Sequence, residues 1–243
     1  MRYEDLYNEW KNDPEKFWIN AAQNIDWIKF PSFALDSSNT PFYKWFPDGL
    51  VNTCYNAVDR HVIKGKGEKT AIIYDSAIRS VKEKITYSQL LERVTKFAHA
   101  MSNAGITKGD RVIIYMPMIP EAIVSMLACS RIGAIHSVVF GGFASNELAV
   151  RIDDAKPKAI IAGSCGIEPT GIIPYKPLLD KAIEQANHKP NFCVIFQRDE
   201  LQAPLVSNRD YDWYEFQKSS SECTCIPVFG NDPLYILYTS GTT

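Results

Sequence analysis

An α/β fold with a mainly parallel sheet covered by helices is the class this sequence predicts, and three observations predict it. From residue 86 onward, apolar runs of five or six residues alternate with helical patterns of ten or more. Crossover connections between parallel strands require that spacing, and they cover both faces of the sheet. Thr86 and Gln89 stand three residues apart at the head of a long amphipathic repeat, the spacing of a capping box. The apolar run Leu234-Tyr235-Ile236-Leu237 opens into Tyr238-Thr239-Ser240-Gly241-Thr242-Thr243, which reads as a strand leading into a hydroxyl-rich loop.

The elements follow in order. Residues 1–50 carry Trp10, Trp18, Trp27 and Trp45, four of the five tryptophans, among charges and Pro14, Pro31, Pro41 and Pro47. Residues 1–65 read as an aromatic-rich extension that wraps a larger body and buries its rings there. The alternative, a membrane-surface helix over residues 3–18, is weaker because its polar face is mostly acidic. Residues 64–69 form a polar turn and residues 70–74 a strand, with a charged turn near residues 79–84. Leu90, Leu91, Val94, Phe97, Ala98 and Met101 recur at helical intervals until Gly105 ends the helix. Residues 111–116 are a β-branched run suited to a buried strand. Pro120 suits the first turn of a helix to about residue 131. Strands are expected at 134–140, 158–162 and 192–196, and helices at 146–155 and 176–187. Residues 199–228 are polar and turn-rich, a surface excursion.

Composition excludes several classes. Lys plus Arg total 26 against 28 for Asp plus Glu, so no strong field points to nucleic acid or anionic lipid as a partner. Six cysteines, at 54, 129, 165, 193, 223 and 225, contain no C-x-x-C. Cys223-Thr224-Cys225 is the one close pair, and free thiols in a reducing compartment are the better reading than a metal site. The start lacks a basic region followed by an apolar one, and the apolar run over 122–129 is too short to span a bilayer. The chain reads as a soluble cytoplasmic piece with no membrane partner. Its oligomeric state is not legible.

For chemistry, a glycine among hydroxyls at Thr239, Ser240, Gly241, Thr242 and Thr243 lets backbone and side-chain donors close on a phosphate. No lysine follows and no Walker pattern occurs, so an ordinary polar turn stays open beside the phosphate loop. Gly141-Gly142, between a strand and a helix, allows either a tight turn or close approach of a ligand. Arg151 and Asp154 have surface i,i+3 spacing and read as a structural pair. The four histidines are scattered, and His136, inside an apolar strand, reads as a satisfied core histidine. None is offered as catalytic, and no metal ligand is assigned.

Tyr238 to Thr243 resembles the first half of the Y-T-S-G-T-T-G-x-P-K-G signature of acyl-adenylate-forming enzymes. Val51-Asn52-Thr53-Cys54-Tyr55-Asn56-Ala57-Val58-Asp59-Arg60-His61, Gly109-Asp110-Arg111-Val112 with Tyr115-Met116-Pro117-Met118-Ile119-Pro120-Glu121, and His136-Ser137-Val138-Val139-Phe140-Gly141-Gly142-Phe143 resemble motifs of its short-chain acyl-CoA synthetases. Ser164-Cys165-Gly166-Ile167-Glu168-Pro169, Tyr175-Lys176-Pro177-Leu178-Leu179-Asp180 and Asp232-Pro233-Leu234-Tyr235 look most like the propionyl-CoA synthetases of that group.

The resemblance implies residues 66–243 as the N-terminal portion of the large AMP-binding domain, ending inside its phosphate loop, with a C-terminal domain absent. It implies ATP, coenzyme A and Mg²⁺ as cofactors of the full-length enzyme. A carboxylate would attack the α-phosphorus of ATP, releasing pyrophosphate, and the thiol of coenzyme A would then displace AMP. It places Gly141 and Gly142 beside the pantetheine arm, and Glu168, Pro169, Thr170 and Gly171 near the nucleotide end of coenzyme A. The family's arginines are missing there: no arginine lies between Arg151 and Arg198, and Lys176 is one substitute, against the commoner reading of a helix-surface lysine. The adenine and acyl pockets, the metal-binding residue and the catalytic lysine would lie beyond Thr243, so the 243-residue chain alone is expected to be inactive. The leading expectation is a piece of an AMP-forming propionate–CoA ligase. An acetyl-CoA synthetase, or a non-catalytic α/β binding module, is the alternative.

Overall fold

The computed structural model describes residues 2–239. The N-terminal segment holds helices α1 (Tyr3–Asn12) and α2 (Pro14–Ala22) and the two-residue strands β1 (Leu35–Asp36), β2 (Lys44–Trp45) and β3 (Leu50–Val51). Asp13 starts α2 by accepting the Lys16 amide at 3.0 Å, and Pro14 occupies the first turn, where no N–H is needed. Wide-wound helical turns at Tyr55–Asp59 and Val62–Lys66 follow, then a hairpin of β4 (Thr70–Ser76) and β5 (Val81–Thr86). The turn expected over residues 64–69 is thus helical as far as Lys66, with Gly65 at φ +73° breaking its regularity.

After this hairpin come α3 (Tyr87–Asn103), β6 (Arg111–Met116), α4 (Pro120–Arg131), β7 (Ile135–Phe140), α5 (Ser145–Ala155) and β8 (Ala159–Gly163). Then come β9 (Cys165–Glu168), β10 (Gly171–Pro174), α6 (Tyr175–Gln185), β11 (Phe192–Phe196), β12 (Asp210–Asp212), α7 (Trp213–Phe216) and β13 (Val228–Phe229). The capping box at the head of α3 is complete: Thr86 N donates to Gln89 Oε1 at 2.9 Å and Gln89 N to Thr86 Oγ1 at 3.3 Å.

Five strands form one parallel sheet in the order β12-β11-β8-β6-β7. Because side chains alternate along a strand, β6 feeds two cores. Val112, Ile114 and Met116 pack with α3 and α4, whereas Ile113 and Tyr115 pack with α5 and α6. The chain runs from β6 out to β7, then doubles back past β6 to β8. Loops leaving β6 and β7 therefore turn to opposite faces, which opens a crevice at the carboxyl ends of these strands.

Two expectations are corrected here. Residues 199–228 are not only a surface excursion: β12 joins the sheet, and Trp213 is buried, stacking on Phe97 with centroids 4.0 Å apart. A three-residue strand of Asp-Tyr-Asp carries no apolar alternation, so periodicity missed it. Three of the four N-terminal tryptophans do not bury themselves in the body, whereas Trp27 is half-buried. Trp10, Trp18 and Trp45 stay exposed and pack in pairs, such as Trp18 on Trp45 at 5.4 Å.

Candidate functional site

The glycine turn after β7 is built around Tyr175, the buried first residue of α6. Its hydroxyl donates to Gly141 O at 2.6 Å. A Cβ at Gly141 would lie 2.4 Å from the Tyr175 ring, and one at Gly166 2.3 Å from its hydroxyl. These two glycines make room for the phenol. Gly142 is different: it sits at φ +119°, and nothing lies closer than 3.8 Å to where its side chain would be. The turn is held from below, since Tyr115 donates its hydroxyl to Phe143 O at 3.0 Å. Burial pushes the Tyr175 phenol up to about 12 and raises Tyr115 as well, so both remain protonated donors.

Glu168, Pro169, Thr170 and Gly171 form the exposed tip of the β9–β10 hairpin, with Gly171 at φ +137°. These residues are thus the turn of a short antiparallel ribbon. Lys176 is not the phosphate substitute. It is 1% exposed and bridges Asp180 at 2.6 Å and the fully buried Asp210 at 2.8 Å. Burial alone would raise Asp210, but hydrogen bonds from Arg209 and Lys176 outweigh it and hold the carboxyl below its usual range.

Residues 234–238 run beside β7. His136 N donates to Leu234 O at 3.3 Å, and Ile236 N to His136 O at 2.9 Å, around one parallel bridge between His136 and Tyr235. The strand expected over residues 234–237 is reduced to this one isolated bridge. Thr239 is exposed at its end. Ser240, Gly241, Thr242 and Thr243 lie outside the described residues.

One connection between the two halves of the site escaped the sequence reading. Arg151 does not pair with Asp154. It pairs with Glu147 at 3.0 Å, and its guanidinium lies 4.9 Å from the Phe143 ring centre and 5.2 Å from that of Tyr238. Asp154 instead accepts the Tyr238 hydroxyl. Helix α5 thus links the glycine turn to the segment over residues 234–238 through a cation held between two rings. His136, expected to be satisfied, has a buried Nδ1 with no hydrogen-bond partner among the described residues, and burial pulls its pKa down to about 4.

Residues 59–243 match the family model described as AMP-binding enzyme, and residues 3–57 match the one described as acetyl-coenzyme A synthetase N-terminus. The chain is 50% identical to the mitochondrial acyl-CoA synthetase short-chain family member 3 of Homo sapiens, over 95% of this chain and 34% of that protein. It is 44% identical to a propionate–CoA ligase of Escherichia coli strain K12, over 100% of this chain and 39% of that protein. Among solved structures, an acetoacetyl-CoA synthetase from Streptomyces lividans superposes with a TM-score of 0.84 at 20% identity, over 97% of this chain and 36% of that one, a likeness of fold. The chain spans just over a third of the length of these relatives.

Proposed function

The chain belongs to the AMP-binding enzyme family, and from that premise we propose that it is the N-terminal part of a short-chain acyl-CoA synthetase joining propionate to coenzyme A at the expense of ATP, with AMP and pyrophosphate released. One observation carries the reading: the unobstructed turn at Gly142 and the strand leading to Thr239 share the carboxyl edge of one parallel sheet, tied by Arg151. Open parallel sheets bind their ligands at this edge. Coenzyme A would run past Gly141 and Gly142 toward the hairpin tip of Glu168, Pro169, Thr170 and Gly171. The ATP phosphates would meet Thr239, Ser240, Gly241, Thr242 and Thr243. Catalysis of this kind consists of positioning the reactants and neutralising oxygen charge, which backbone amides and hydroxyls supply. We assign no Mg²⁺ ligand to this chain.

Propionate is favoured by the 44% identity to the bacterial propionate–CoA ligase. Acetate is the second reading, favoured by the match of residues 3–57 to an acetyl-coenzyme A synthetase N-terminus. Free thiols at all six cysteines fit a reducing compartment, which we take to be the cytoplasm. Among the described residues no helix is long and apolar enough to cross a membrane. The test is a thioester assay on the protein extended past Thr243, with acetate, propionate and butyrate in parallel. Preference for propionate supports the reading; preference for acetate gives the second one.

A further inference from the structure

Two thiols distant in sequence meet outside the site described above. Cys54 precedes the wide helical turn Tyr55–Asp59 and is fully buried, whereas Cys225 lies on the irregular segment before β13 and is half-buried. Their sulfurs and a carboxylate oxygen of Asp59 all lie within 4.8 Å of one another. Cys225 Sγ reaches Asp59 Oδ2 at 3.8 Å. Asn52 fixes both segments, because its side-chain amide donates to Ile226 O at 2.9 Å and to Ser130 O and Arg131 O at 3.1 Å.

Three such donors suggest a metal site, but a cation already occupies the cluster. Arg131 binds Asp59 with both terminal nitrogens, at 2.8 and 2.9 Å, and its Nη1 lies 3.6 Å from Cys54 Sγ. A guanidinium there repels a metal ion and favours a thiolate. The hydrogen bond from Cys225, then Arg131, pull the Cys54 thiol down, while Cys225 is pushed up by the same hydrogen bond and by burial. Cys225 also lines a surface cavity of about 530 Å³ with Trp27, Tyr55, Arg131 and Thr224, which gives a small oxidant a path.

We propose that Cys54 and Cys225 form a peroxide-oxidisable pair that closes to a disulfide, with Arg131 and Asp59 holding the two sulfurs together. Hydrogen peroxide is the oxidant. Cys225 sulfur, the one that lines the cavity, attacks one peroxide oxygen, and its proton goes to the departing oxygen, which leaves as water. Cys54 sulfur then attacks the Cys225 sulfenic sulfur, and water leaves carrying the Cys54 proton. Two sulfurs lose one electron each, and peroxide takes both. The sulfurs must approach to about 2.0 Å, and Cys225 sits on a segment without helix or strand. The disulfide would tie the Cys54 helix to the segment that leads into the phosphate strand.

The test uses the reduced 243-residue chain with an equimolar amount of hydrogen peroxide at neutral pH, digested without reductant and read by mass spectrometry. A Cys54–Cys225 linked peptide as the main product is expected, and Cys223→Ser should leave it in place. In Cys54→Ser the linked peptide should be lost and Cys225 should be captured by dimedone as a sulfenic acid. Should that core variant unfold, Cys225→Ser, at a half-buried position, should also lose the link while leaving Cys54 unlabelled. A Cys223–Cys225 link, scattered oxidation with no link, or zinc added to the reduced chain and retained with both thiols protected from alkylation would overturn the proposal.

Discussion

Tyr238 donates its hydroxyl to the Asp154 carboxylate at 2.6 Å, which ties the segment before Thr239 to helix α5. Burial, then the neighbouring carboxylate, raise the phenol, so it stays a donor across the physiological range. Removing this hydroxyl with Tyr238→Phe should loosen the strand that leads to Thr239. A lost hydrogen bond to a charged group costs about 1.5 kcal/mol, or roughly tenfold. In the protein extended past Thr243, a rise in KM for ATP of about that size is expected. Arg151→Ala should impair adenylate and thioester formation together, because Arg151 stacks on both Phe143 and Tyr238. Unchanged kinetics in both variants would remove α5 from the site.

The glycines packed around Tyr175 and the one beside them at Gly142 separate by their surroundings. Gly141→Ala and Gly166→Ala drive a Cβ into Tyr175 and should each destabilise the fold by about 1–3 kcal/mol, read by urea unfolding. Gly142→Ala and Gly142→Leu share the same backbone strain at φ +119°, of order 1–3 kcal/mol, and differ only in bulk. The leucine variant should therefore show the larger rise in KM for coenzyme A, with pyrophosphate exchange equal in the two. Equal thioester kinetics would mean the turn serves the fold alone.

Legibility in the sequence followed periodicity. The boundaries of β6 and β11 and the start of α4 were readable because Val112–Ile114, Cys193–Ile195 and Pro120 each combine a strong local preference with an environment that agrees with it. β12 was not, since Asp210 faces Lys176 and Arg209 rather than an apolar core. The same burial hid Lys176 from view, because a lysine on a helix says nothing about a carboxylate brought to it from 34 residues away. Around the candidate site, the glycine turn after β7 and the extended run over residues 234–238 stood out as local patterns. Arg151 did not: its partners Phe143 and Tyr238 come from two different loops, and only the fold brings them together.

Arg131 and Asp59 form a buried pair, with side chains 5% and 12% exposed. Arg131→Met leaves a buried carboxylate without its counter-charge and should cost about 3–5 kcal/mol. Arg131→Met combined with Asp59→Leu should cost less than the sum of the two single changes in chemical denaturation. Additive losses would mean the two side chains act independently.

His136 gives the fold a pH dependence. Burial holds its pKa at about 4, so between about pH 6.5 and 4 the unfolded chain takes up a proton that the folded chain refuses. Its contribution destabilises the fold increasingly as pH falls through that window, by about 3 kcal/mol at most. His136→Phe should flatten the stability profile there, measured by thermal melts from pH 7 to 4. An unchanged slope would contradict the burial argument.

Carboxylate-dependent exchange of labelled pyrophosphate into ATP tests the central claim most directly, run on the 243-residue chain and on the protein extended past Thr243. Exchange that requires propionate in the extended protein, with none from the 243-residue chain, is the predicted result. Exchange by the 243-residue chain alone, or none from the extended protein with any short carboxylate, would contradict the account.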